Sequence, residues 1–191
     1  MAPPAAPALW TIWGVWLASW IAAARWSSAV AVSQSEGERL FQSVFIWVGA
    51  ILVFAKSDSR LSLLRALIPQ TPWLPWAGVA LAVVGLAFTW WARVHLGRDW
   101  SAAVTLKQDH RLVRSGPYAI TRHPIYTGIL IAFAGSAVVS DVTPSALLGL
   151  AFVTCGFVLK LRQEEEFLAG RFGEDYLNYQ SQVAALFPGI W

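Results

Sequence analysis

"WLPWAGVALAVVGLAFTWWARVHL", residues 73–96, contains no charged residue before Arg93. Spanning the apolar core of a bilayer as a helix takes roughly 17–25 predominantly apolar residues. The stretch meets that length, and Trp73, Trp76, Trp90 and Trp91 lie near its two ends, where amphipathic rings favour the membrane–water boundary. It reads as a transmembrane helix, and the rest of the chain is organised around it.

Of the 191 residues 57% are hydrophobic and 13% charged, against about 25% charged in a soluble domain. This points to an integral membrane protein. Twelve tryptophans agree with that class, as interfacial belts. The formal charge of +3 reads as basic loops rather than as a nucleic-acid surface. Cys155, the single cysteine, falls in an apolar run and reads as a small buried hydrophobe. The opening MAPPAAPALW has no basic segment of the secretory-signal kind.

Four further apolar runs have helical length or close to it: 8–24, 40–55, 125–140 and 144–161. The last two are separated by Asp141, Val142 and Thr143 alone, which predicts a tight antiparallel hairpin. Between the second and third runs, apolar residues at 61, 63, 64, 67 and 68 suit a short interfacial helix. The fold expected is all-α, about five transmembrane helices in one domain spanning 1–191, with helices over 1–96 and a motif region over 97–180. Alternate loops hold three basic residues (Lys56, Arg60, Arg65) on one side and the remaining eleven of 14 on the other. The positive-inside rule then puts the N-terminus outside, and loop 97–123 and tail 162–191 together on the cytoplasmic face.

The polar chemistry gathers in "RSGPYAITRHPIYTGIL", residues 114–130. Pro117 makes "GPY" a turn, and Pro124 suits the first turn of the next helix. Gly116 supplies a permissive backbone, and Gly128, one turn into that helix, allows a close approach. Irregular backbone at membrane depth persists only when buried in protein or lining a cavity, so the stretch lines a pocket. Arg122 and His123 offer donors there, and Tyr118 and Tyr126 offer aromatic faces.

"LVRSGPYAITRHPIYTG" resembles the signature of the isoprenylcysteine carboxyl methyltransferase and phospholipid methyltransferase superfamily. The second block of that signature follows as "EEEFLAGRFGEDYLNY", with Glu164, Glu165, Leu168, Phe172, Gly173, Tyr176 and Tyr179 at its positions. Upstream, "LGRDWSAAVTLKQDHRLV" is similar to the family's entry segment and includes His110. The resemblance covers roughly residues 90–180 and implies a membrane methyltransferase using S-adenosyl-L-methionine. Its site would lie at the cytosolic helix ends and be closed by the C-terminal segment. No GxGxxG strand–turn–helix is present to bind a nucleotide in the soluble manner.

The resemblance implies a cofactor set of His110, Leu112, Val113, Gly116, Tyr118, Arg122, His123, Pro124, Tyr126, Gly128 and Glu165, and a catalytic set of Arg162, Glu165 and His123. Glu165 would pair with the donor's amino group, and Arg122 or His123 with its carboxylate. Tyr118 and Tyr126 would face the sulfonium. A carboxylate acceptor needs no general base, and Arg162 would hold it. Glu166 reads as a solvated residue, and Arg171 with Asp175 as a structural pair. The acceptor expected is lipophilic, an isoprenylcysteine carboxylate. A phospholipid amine, a thiol or another small apolar molecule is the alternative, and would need a base such as His110 or Glu164. An NADPH-dependent sterol-type reductase is the alternative from another class. No Cys/His cluster has metal-ligand spacing. Small residues at 128, 132, 135, 137, 149 and 156 allow either close helix packing or a groove for the acceptor.

Overall fold

The structure is a computed structural model that describes residues 4–26, 30–33, 35–55, 71–97, 100, 105–107 and 112–189. The expected interfacial helix over 56–72 and His110 therefore lie outside the described residues, apart from positions 71 and 72. Six helices are described: α1 (Ala5–Ala23), α2 (Glu36–Phe54), α3 (Leu74–Leu96), α4 (Pro124–Val139), α5 (Pro144–Phe172) and α6 (Glu174–Gln182). A two-stranded antiparallel ribbon pairs β1 (Val30–Ser33) with β2 (Thr105–Lys107). The protein is an integral membrane helical bundle with this ribbon between two of its connecting segments.

Helix limits follow local chemistry. Ser35 and Glu38 form a reciprocal capping box at the start of α2. Pro124 and Pro144 occupy the first position of α4 and α5, where a missing N–H costs nothing. Gly97 (φ +58) and Gly173 (φ +54) end α3 and α5 in a conformation that favours glycine. Helix α5 extends 11 residues beyond the predicted limit of 161, so the acidic block is helical. Its glutamates lower hydropathy without lowering helix propensity.

Four helices are long and apolar enough to cross a membrane, with 19, 19, 23 and 29 residues. The fifth expected span, α4, has 16 residues, or about 24 Å of helix against about 30 Å of hydrocarbon. It is the inner helix, with nine of its residues buried. A helix enclosed by protein has no need to match the bilayer.

Glycines select the helix partners. A Cβ on Gly85 would sit 2.4 Å from the Gly128 carbonyl, and one on Gly78 would sit 2.7 Å from that of Gly135, so α3 and α4 run antiparallel with backbones in contact. Gly49 and Gly149 bring α2 and α5 together in the same manner. Gly128, Gly135, Gly149 and Gly156 are thus opposed by other helices, as the close-packing reading of that pattern expects. The α4–α5 link is tight, with the Val142 amide bonded to the Ala137 carbonyl at 2.9 Å. Each leg, however, packs chiefly on a different partner.

Helix α1 docks through indole N–H groups. Trp13 donates to Ser136 Oγ at 3.0 Å, Trp16 to Thr89 Oγ1 at 2.8 Å, and Trp90 of α3 donates back to Ser19 Oγ at 3.2 Å. The tryptophans therefore divide. Trp10, Trp47, Trp73, Trp76 and Trp91 are exposed, whereas Trp13 and Trp16 join helices. Cys155 is exposed, not buried as its apolar surroundings suggested. It lies on the outward face of α5, where the surroundings are apolar because a membrane helix is apolar on both faces. Arg93, buried near the end of α3, donates to the carbonyls of Ala23 and Gly97 and lies 4.6 Å from the Trp100 ring centroid. It ties the C-terminal ends of α1 and α3 together at the end of the bundle where α4 begins and α5 finishes.

Candidate active site at one end of the bundle

Residues 112–123 enter that end as extended chain and a 3-10 turn over Gly116–Ala119. Gly116 has φ +60, and a Cβ there would lie 2.4 Å from the His95 ring, so conformation and space both demand glycine. The turn is fixed from α6, where the Tyr179 hydroxyl donates to the Tyr118 carbonyl at 2.6 Å. Burial pushes the Tyr179 hydroxyl up to about 12, so it remains a donor.

Beyond the turn, the chain is strapped to the segment that follows α6. The amides of Arg122 and His123 donate to the carbonyls of Ala184 (2.9 Å) and Ala185 (3.0 Å). The hydroxyls of Thr121 and Thr127 donate to Ala185 (2.6 Å) and Leu186 (2.8 Å). The backbone groups left over by irregular chain are thereby paired.

Within this frame lies a charged cluster. Glu165 Oε1 accepts from Arg122 Nε at 2.8 Å, lies 2.6 Å from Arg122 Nη2 and 3.1 Å from His123 Nε2, while Oε2 accepts from Gln180 at 3.2 Å. Arg122 Nη1 donates to the carbonyls of Gln180 and Val183. Glu164 Oε2 accepts from the Tyr126 hydroxyl at 2.7 Å and lies 3.6 Å from His123 Nδ1. Burial alone would lower the His123 pKa, but hydrogen bonds to Glu164 and Glu165 and the charges of both carboxylates raise it overall. The imidazole is held toward its protonated form, with both nitrogens directed at carboxylates.

The structure brings together Gly116, Tyr118, Arg122, His123, Pro124, Tyr126 and Glu165 of the predicted set, with Leu112 and Val113 half-buried on the approach. It corrects several roles. Gly128 meets the backbone of α3, not a ligand. The Tyr126 ring stacks on His123 (5.5 Å) and on Phe157 (4.9 Å) and carries Lys160 Nζ 5.6 Å from its centroid, so a sulfonium would have to displace one of these neighbours. Arg122 and Glu165, expected on opposite ends of the donor, hold each other. Arg162 is exposed on α5, one helical turn before Glu165. Asp175 lies 3.7 Å from Arg114, instead of forming the expected pair with Arg171.

Sequence reasoning missed Gln180, Thr121 and Thr127, whose only sequence signal is proximity to the motif blocks. It also missed Lys160, whose Nζ lies 5.6 Å from the Tyr126 ring centroid. A cleft of about 400 Å³ opens beside the cluster, lined by Arg122, Gly189 and residues 180–184. The Tyr176 hydroxyl is buried without a hydrogen-bond partner among the described residues.

Known proteins resemble this chain in sequence and in fold. Residues 78–170 match the isoprenylcysteine carboxyl methyltransferase (ICMT) family. Protein-S-isoprenylcysteine O-methyltransferase B of Arabidopsis thaliana is 29% identical over 125 residues, covering 64% of each chain. The cobalt-zinc-cadmium resistance protein CzcN of Cupriavidus metallidurans is 33% identical over 117 residues, 60% of this chain and 52% of that one. The chain thus spans about half to two thirds of these relatives. The solved structure of the eukaryotic intramembrane Ras methyltransferase ICMT superposes with a TM-score of 0.53 at 25% identity, over 83% of this chain and 55% of that one.

Proposed function

We propose, from the match of residues 78–170 to the isoprenylcysteine carboxyl methyltransferase (ICMT) family, that the protein is a membrane methyltransferase. It moves a methyl group from S-adenosylmethionine to a lipophilic acceptor, the carboxylate of an isoprenylated cysteine. The observation that carries the acceptor class is His123. Its two nitrogens face Glu165 at 3.1 Å and Glu164 at 3.6 Å, so this titratable group is held as a proton carrier with no lone pair to offer. A carboxylate acceptor is already the nucleophile and asks for no base.

The cleft fits the donor by size and lining. Its 400 Å³ falls within the roughly 300–1,000 Å³ of small-molecule sites. Gln180, Ser181 and Gln182 provide polar side chains for an amino-acid and ribose end. When bound, the sulfonium supplies an electrophilic methyl carbon. The chain's own part is positioning and exclusion of water. Arg122 fixes the 180–183 backbone against Glu165, Tyr179 fixes the 116–119 turn, and the strap over 183–186 covers the start of α4. Leu112, Val113, Gly116, Tyr118 and Pro124 form the adjoining wall. A carboxylate acceptor held against this wall would need no group of the chain to take a proton.

The apolar acceptor enters from the bilayer and the polar donor from the cytoplasm, an orientation supported by the eleven basic residues assigned to this side. A second reading, methylation of an amine or thiol, needs a base, and Glu164, whose side chain is 35% exposed, is the carboxylate of the cluster open to an acceptor. Calorimetry with S-adenosylhomocysteine and with NADPH, followed by turnover of S-prenylcysteine analogues of increasing chain length, tests the proposal. S-adenosylhomocysteine binds and NADPH does not, and turnover rises with chain length. Turnover of amines or thiols alone leaves the second reading.

A further inference from the structure

Arg93 lies in the last turn of α3 and is only 5% exposed. Its Nη1 donates to the Gly97 carbonyl and its Nη2 to that of Ala23, at 2.9 Å. The Trp100 ring covers one face of the guanidinium, 4.6 Å away. Nε is buried without a hydrogen-bond partner among the described residues. No carboxylate of the described residues pairs with this cation. The carbonyl ends of α1 and α3 offset part of the charge, but a buried cation with a spare N–H and no anion is costly to hold.

Tyr118 approaches from the 116–119 turn, which packs on the end of α3 where Gly116 meets the His95 ring. The tyrosine is 8% exposed. Its carbonyl accepts from Tyr179, whereas its own hydroxyl makes no hydrogen bond among the described residues. Burial, and after it the charge of Glu164, raise the pKa of this hydroxyl, and the charge of Arg93 opposes them. The hydroxyl therefore keeps its proton as a donor, within electrostatic reach of Arg93 on one side and of the Glu164 cluster on the other.

Two buried donors without acceptors, one of them charged, call for an acceptor that brings a negative charge. A carboxylate has an oxygen for each donor and supplies that charge, and out of water such bonds are strong. A carboxamide has one acceptor oxygen and no charge. We infer that Arg93 and Tyr118 form a carboxylate-binding pair that receives a substrate of the reaction. The inference rests on the methyltransferase reading above. Two molecules of that reaction carry the group, the donor at its amino-acid end and the prenylcysteine acceptor, and the same chemistry serves either.

The test compares wild type, Tyr118→Phe and Arg93→Lys. Tyr118→Phe removes an oxygen that bonds nothing in the protein alone, and Arg93→Lys keeps the charge but loses the Nε donor and the planar fork. Calorimetry measures the preference for S-adenosylhomocysteine over its decarboxylated analogue. Competition in the turnover assay measures the preference for N-acetyl S-prenylcysteine over its carboxamide. In both variants one of these two preferences falls about tenfold or more while the other holds within about twofold, and the one that falls names the source of the carboxylate. Both preferences unchanged in Tyr118→Phe, or a wild type indifferent to both carboxylates, overturns the inference alone. A wild type that binds neither S-adenosylhomocysteine nor its decarboxylated analogue overturns the methyltransferase reading and the inference with it.

Discussion

Arg122 and Glu165, 43 residues apart, share a two-point ion pair at 2.6 and 2.8 Å, with side chains only 6% and 13% exposed. A pair so enclosed is costly to break from one side, since the survivor is left as a buried charge. Glu165→Gln therefore lowers stability by roughly 3–5 kcal/mol. It also weakens S-adenosylhomocysteine binding about tenfold to a hundredfold, because Arg122 no longer fixes the 180–183 backbone. The double variant Arg122→Gln/Glu165→Gln loses less stability than the two single losses added. Thermal unfolding of detergent-solubilised protein and calorimetry measure both effects, and strictly additive losses refute the coupling.

The Gly85–Gly128 contact predicts an asymmetry among glycines. Gly128→Ala places a Cβ 2.5 Å from the Gly85 carbonyl, which forces α3 and α4 apart, at a cost of about 1–3 kcal/mol. Gly14 in α1 has nothing within 4 Å of its Cβ position, so Gly14→Ala is neutral or gains up to about 1 kcal/mol. Unfolding temperatures of the two variants should move in opposite directions or differ by several degrees.

Protonation of His123 gives a pH signature. Its folded pKa lies above the ordinary 6.5. The stabilisation it contributes is therefore complete below about pH 6.5 and is lost as pH rises through the higher folded value. Comparing the unfolding temperature of wild type with that of His123→Gln from pH 6 to pH 9 should show the largest difference at the acid end. A difference that grows with pH contradicts the assignment.

The proposed orientation is open to chemical labelling. In a Cys155→Ser background, single cysteines at positions 105 and 181 react with a membrane-impermeant maleimide from the cytoplasmic side. A cysteine at position 58 reacts from the opposite side. Labelling of all three from one side overturns the topology.

Much of the bundle was legible in hydropathy, because the bilayer imposes length and apolarity on each span and Lys/Arg asymmetry on the loops. The motif blocks correctly brought Arg122, His123 and Glu165 to one place. What was hidden depends on helix rotation and on partners. Each residue turns a helix by about 100°, which separates the exposed Arg162 from the half-buried Lys160 although two positions divide them. Gly128 stood inside a motif, yet it serves a helix contact that only the position of Gly85 reveals. The carbonyls of Ala184, Ala185 and Leu186 leave no trace in side-chain pattern, so the strap was expected only as a closing segment and its bonds were not. Tryptophan composition suggested belts, but Trp13 and Trp16 required Ser136 and Thr89 opposite them to show their use.

The ribbon joining Val30–Ser33 to Thr105–Lys107 bears on the order in which the chain is made. The first strand leaves the ribosome more than 70 residues ahead of its partner, with all of α2 and α3 still to follow. Until then its backbone has no ladder to join. Pairing can occur only after those two helices have entered the bilayer with the orientation that returns residue 105 to the same side. The ribbon thus closes only when both helices cross. A chain in which α2 or α3 fails to cross leaves the two strands on opposite sides of the membrane and is distinguished from the native form before α4 and α5 are complete.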